Sequence, residues 1–91
     1  MTTIVEWQKV DGEHAAKALG EIQEKLSSAE GELLLDFSAV RRVDPSGLRA
    51  MEDFAAEAEH RAVKVSLRGV NVDVYKVFKL ARLTSRFSFA N

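Results

Sequence analysis

A chain of 91 residues with 46% apolar and 30% charged side chains has room for one hydrophobic core and the composition of a globular protein, not a disordered or fibrous one. The absence of cysteine excludes disulfides, thiolate nucleophiles and thiolate metal sites together, and suits a reducing cytoplasm. The net charge of −1 hides an asymmetry, since residues 1–40 carry three basic and eight acidic side chains and residues 41–91 carry ten and six. Those basic residues are dispersed among acids without interleaved aromatics, so nucleic acid is not the expected partner.

Ile4 to Gln8 reads as a short strand with Val5 and Trp7 on one side and Glu6 and Gln8 on the other. A turn at Asp11-Gly12 leads to a predicted helix over about residues 13–27, in which Ala15, Leu19, Ile22 and Leu26 form a buried stripe. Glu21 and Lys25 lie four apart in the favourable order on its outer face. Ser27 to Gly31 returns the chain. Leu33-Leu34-Leu35-Asp36-Phe37 lacks alternation, which predicts a central strand covered on both faces.

Val43-Asp44-Pro45-Ser46-Gly47-Leu48 has the signature of a helix start, with Asp44 as N-cap and Pro45 at the first helical position. The helix runs to about His60, with Leu48, Met51, Ala55 and Ala58 inward and Phe54 at the flank. Arg49/Asp53 and Glu57/Arg61 are spaced as surface pairs. Val63 to Leu67 alternates as a strand and Gly69 ends it. Asn71 caps a third helix in which Val74, Val77, Phe78 and Ala81 recur at helical spacing. Phe87-Ser88-Phe89 adds a final extended segment. The alternation of strands and helices predicts parallel pairing through right-handed crossovers, with function in the loops after the strands, where the Val43–Leu48 turn falls.

The residues for catalysis are not assembled in this sequence. His14 and His60 belong to no two-ligand helical spacing, Ser38 and Ser46 sit in no nucleophile elbow, and neither a dinucleotide-binding glycine pattern nor a phosphate loop occurs. Asp36 and Asp44 could pair as carboxylates, but a strand-end residue and an N-cap are the simpler roles. The expectation is a protein that is not an enzyme and holds no metal or cofactor. Leu33 to Leu35 falls far short of the ~20 apolar residues of a membrane span, and the start Met-Thr-Thr-Ile-Val-Glu has no basic segment before a hydrophobic stretch. No membrane insertion is expected, and the cytoplasm is the expected compartment.

Four blocks resemble the STAS domain (sulfate transporter and anti-sigma-factor antagonist): Leu34 to Ser38, Val43 to Leu48, Leu67 to Asn71 and Val77 to Leu83. The resemblance runs from about Ile4 to Phe89. It implies one domain over residues 1–91, an α/β fold with a mostly parallel four-stranded sheet packed with three or four helices. The family usually begins with a two-stranded hairpin, whereas one strand fits before the first helix here.

The resemblance also implies a non-catalytic interaction module, similar to antagonists that bind a serine-kinase anti-sigma factor through the turn and following helix. In those proteins, phosphorylation of the Ser directly after the Asp breaks the complex. This chain has Pro45 at that position, so the switch chemistry cannot occur there. Ser46 aligns with the second small hydroxyl residue, whose expected role is to help satisfy the helix start, with a shifted phosphosite as the lesser alternative. The expected partner-binding residues are Asp44, Pro45, Ser46, Gly47, Arg49, Glu52 and Asp53.

A second branch has similar blocks at Val40 to Asp44 and at Gly69-Val70-Asn71 with Tyr75 and Lys79-Leu80. Its members are short STAS subunits that bind the ATPase of bacterial phospholipid-transport ABC systems. The sequence does not rank the two partners strongly, nor does it set an oligomeric state.

Overall fold

The computed structural model describes residues 7–10, 12–27 and 31–90. Its four strands are β1 (Trp7–Lys9), β2 (Glu32–Asp36), β3 (Lys64–Arg68) and β4 (Ser88–Ala90). They lie side by side in chain order, and every neighbouring pair is parallel. Between them run α1 (Ala15–Gln23), followed by a 3-10 turn over Glu24–Ser27, then α2 (Pro45–His60) and α3 (Val72–Leu80). This is the small α/β architecture that the sequence pattern predicts. Because each crossover steps one strand further in the same direction, the right-handed rule puts all three helices on one face of the sheet.

Register explains the burial. Leu35 stands opposite Leu67, and Leu33 opposite Val65, so these four side chains form one continuous row set under the helices. From above, Leu19 and Ile22 of α1, Met51, Phe54, Ala55 and Ala58 of α2, and Val74 and Phe78 of α3 close the same core. Leu26 joins from the 3-10 turn, which replaces the last turn of the helix predicted to residue 27. Phe54 is wholly buried, a correction to its expected place at the flank: it joins Met51, Ala55 and Ala58 in the inward stripe, while Leu48 packs half-buried against the same core.

The prediction that Leu33 to Leu35 is covered on both faces is also corrected. Leu33 and Leu35 are buried, whereas Leu34 and Asp36 are only half-buried, because the face away from the helices carries a more polar set. On that face Trp7 and Leu34 share a row with Ser66 and Ser88, and the Arg68 guanidinium sits 4.3 Å from the centre of the Trp7 ring. The continuous apolar run therefore placed β2 correctly between two strands but overstated its cover.

At the N-terminus the described strand is Trp7–Lys9; the expected strand residues Ile4 to Glu6 lie outside the described residues, as do Asp11 and Ser28 to Glu30 of the expected turns. At the far end, β4 matches the extended segment expected around Phe87 to Phe89.

Candidate functional site at the start of the second helix

The site is built on the loop that leaves β2. Phe37 donates its backbone N–H to the carbonyl of Arg68 (2.8 Å), and Val40 N–H donates to the Phe37 carbonyl (2.9 Å), which turns the chain while both side chains enter the core. Asp36 closes the strand end by accepting from Ser38 N–H (2.9 Å) and from the Arg68 guanidinium (3.2 Å). The Ser38 N–H and hydroxyl, and secondarily Arg68, hold the Asp36 carboxyl below the usual aspartate range against the opposing cost of burial. Asp36 and Asp44 serve separate local networks, the simpler roles the sequence suggested.

Gly69 makes this arrangement possible. Its φ of +70° is the left-handed region, and a Cβ there would come within 2.9 Å of Ser38 backbone atoms. Only glycine lets the loop after β3 lie against the loop after β2.

Asp44 then starts α2 as its N-cap, with extended backbone angles and its Oδ1 accepting from Gly47 N–H (2.7 Å) and the Ser46 hydroxyl (2.9 Å). Those two donors, the Gly47 N–H foremost, pull the Asp44 carboxyl below its usual range, so the charge stays on the helix N-terminus. Pro45 occupies the first turn, where its missing N–H costs nothing. Ser46 serves the carboxylate instead of capping an N–H directly, a difference from the expected role that leaves its purpose local. Gly47 is buried: a Cβ there would stand 3.1 Å from Asp44 Oδ1 and 3.2 Å from Val43 Cγ1, so the small residue keeps the turn tight.

The remaining predicted residues fall on one side. Asp44, Pro45 and Ser46 are exposed at the start, and Arg49, Glu52 and Asp53 are exposed along the helix, spaced to share the outward stripe that begins at Pro45. Gly47 supports this surface from beneath. The Glu57–Arg61 pair forms at 2.7 Å, whereas no ion pair joins Arg49 to Asp53 among the described residues.

Tertiary structure adds groups that spacing could not reveal. A shallow polar cleft of about 410 Å³ lies between Gly12, His14 and Lys17 at the start of α1 and Arg42, Asp44 and Ser46 at the start of α2. These residues meet because parallel crossovers bring successive helix starts to the same end of the sheet. Asn71 is the other omission: besides capping α3, its amide donates to the carbonyls of Val40 (3.4 Å) and Arg41 (3.0 Å), holding the loop that delivers Asp44. Both histidines are exposed, and no group of three or more metal-ligating side chains occurs among the described residues. No helix among them is long and apolar enough to cross a membrane.

The sheet is all-parallel, and the start of α2 with its Asp44 cap lies at the carboxyl end of the strands, where functional groups of such folds gather. A family model described as "Mlab, STAS domain" matches residues 9–87. The chain belongs to the STAS domain family, as the four sequence blocks anticipated. No curated relative matches it. Domains of this family are generally non-catalytic modules that bind protein partners.

Proposed function

We propose that this protein binds a protein partner through Asp44, Pro45, Ser46, Arg49, Glu52 and Asp53, with Gly47 as support, and does so without a phosphorylation switch in the turn. The observation that carries the reading is the outward stripe of α2, which begins at a turn whose own polar groups are already engaged with one another. Such a surface is preorganised, so little ordering cost accompanies binding. The partner in this reading is a serine-kinase anti-sigma factor. Pro45 removes the hydroxyl through which release would operate, so the complex is constitutive or regulated on the partner's side.

The chemistry of Ser46 agrees with a structural role. A phosphate there would add roughly −1.5 to −2 charges beside the Asp44 carboxylate that its hydroxyl now contacts at 2.9 Å. Arg49→Glu reverses one exposed charge of the stripe and should weaken association by about tenfold or more while leaving stability nearly unchanged. Titration of the variant against the purified partner by calorimetry reads this directly, and unchanged affinity would move the interface elsewhere. Incubation with the kinase followed by intact-mass measurement tests the absent switch: one phosphate mapped to Ser46 together with lost binding would refute the constitutive reading.

A second reading has its own support. An accessory subunit of a phospholipid-transport ABC ATPase stays assembled and needs no release device, which suits Pro45 equally well. Complex formation with purified anti-sigma kinase or with purified transporter ATPase, scored by size-exclusion chromatography, separates the two.

A further inference from the structure

The outer face of α3 gathers exposed apolar and cationic side chains, of which Tyr75 also packs edge-on against Phe89, with ring centroids 5.3 Å apart. Val72, Tyr75 and Leu80 are the exposed large hydrophobic residues of the described chain, at 68%, 42% and 86% exposure, and all three belong to this one helix. Val74 and Phe78 hold its opposite side in the core, so the face cannot roll inward. Lys76, Lys79 and Arg82 are exposed on or just beyond the same face, and none of them has an ion-pair partner among the described residues. The three cations and Leu80 line one shallow depression of about 540 Å³. Asp73, the only acid of the helix, sits at its N-terminal end.

We propose that this face of α3 rests on an anionic lipid bilayer. Cations beside exposed apolar side chains on one solvent-facing surface suit the headgroup region of an anionic bilayer, where charge attraction and shallow apolar insertion act together. The charge is complementary to anionic headgroups, while the lysine stems and Leu80 reach toward the boundary of the acyl chains. An acidic protein partner fits less well, because Leu80 projects from the surface and would need a fitted pocket with three placed carboxylates around it. Laterally mobile lipids require no such fit. The helix is far too short to span a bilayer, so the association is peripheral.

Its geometry is compatible with a protein bound at α2. In each crossover the helix runs antiparallel to the strands, so Leu80 and Arg82 lie at the opposite end of the layer from the Asp44 turn. The proposal therefore stands independently of the α2 reading.

Flotation of the purified full chain tests it, using vesicles of phosphatidylcholine with one third phosphatidylglycerol and vesicles of phosphatidylcholine alone. Wild type should float with the anionic vesicles at low salt, remain in solution with the neutral ones, and be released at high salt. Lys76→Glu/Lys79→Glu should lower the bound fraction about tenfold or more. Leu80→Ser should lower it several-fold even at low salt, and circular dichroism melts should show both variants folded, since all three positions are exposed. Failure of wild type to float, equal flotation with neutral vesicles, or variants that float like wild type would each overturn the proposal. Saturable binding to soluble polyglutamate with no vesicle binding would overturn it in favour of an acidic protein partner.

Discussion

Asp44 and Asn71 hold nearly the same backbone geometry, with φ −82° and ψ 173° for one and φ −77° and ψ 171° for the other, and each side-chain oxygen accepts a 2.7 Å bond from the N–H three residues on. Beyond that shared cap the two residues diverge. Asp44 has only acceptors, and its spare capacity is used inside its own turn by the Ser46 hydroxyl. Asn71 also has two donors, which reach across to the carbonyls of Val40 and Arg41. One helix start is closed on itself and faces outward; the other is a strut that positions the first. The loop that delivers the Asp44 turn is thus held by a residue at the start of the neighbouring helix.

The strongest way to break this relation is at Gly69, where the strut's loop meets Ser38. Gly69→Ala combines a left-handed conformation with contacts under 3.0 Å to backbone, and should destabilise by about 2–4 kcal/mol in urea unfolding. Asn71→Asp comes next. It keeps the cap acceptor but replaces both donors with a charge facing two carbonyls, for a loss of about 1–3 kcal/mol. If Asn71→Asp were as stable as wild type, the amide would be a cap and nothing more.

The same two helices also end alike, which offers a smaller test. Ala62 and Arg82 adopt φ of 56° and 60°, while Val63 N–H returns to the Ala58 carbonyl (2.9 Å) and Leu83 N–H to the Phe78 carbonyl (2.8 Å). These are glycine-type helix ends without glycine. Ala62→Gly should raise stability by up to about 1 kcal/mol by relieving the left-handed penalty, measured as a higher midpoint in the same unfolding experiment.

The smallest effect is expected from Asp44→Asn, which keeps an acceptor and loses the charge. Because the Asp44 and Asp36 carboxyls titrate below the ordinary value of 3.8 in the native protein, the unfolded chain binds more protons as pH falls toward and past that value. Their stabilisation is therefore present above it and is lost as pH drops through the lower native values. Stability of Asp44→Asn should fall less steeply than wild type in acid, with the remaining slope owed partly to Asp36. An unchanged acid limb would mean that Asp44 contributes nothing through its charge.

Much of this organisation was legible before the structure. Asp44-Pro45 and Asn71 announced helix starts because a capping side chain acts on backbone three residues away, a local interaction that sequence spacing reports well. The positions of β3 and β4 followed for similar reasons, from alternating side chains and, for β3, the glycine that ends it. What failed was information about neighbours. Phe54 read as a flank residue because one helix cannot show how wide a stripe its surroundings bury. Leu34 read as covered because a run of leucines does not reveal that helices occupy one face only. The helix ends at Ala62 and Arg82 carried no glycine, so nothing in composition marked them.

By itself the sequence determined the alternation of strands and helices, the two capped helix starts, the missing hydroxyl at Pro45 and the kinship with the STAS fold, since each depends on residue identity and short spacing. Tertiary structure alone decided that Asn71 braces the loop carrying Asp44, that His14, Lys17 and Arg42 flank the turn, and that the exposed apolar residues gather with unpaired cations on α3. The first two depend on strand order and register, which bring together groups some thirty residues apart; the third depends on which side of α3 the core takes up through Val74 and Phe78.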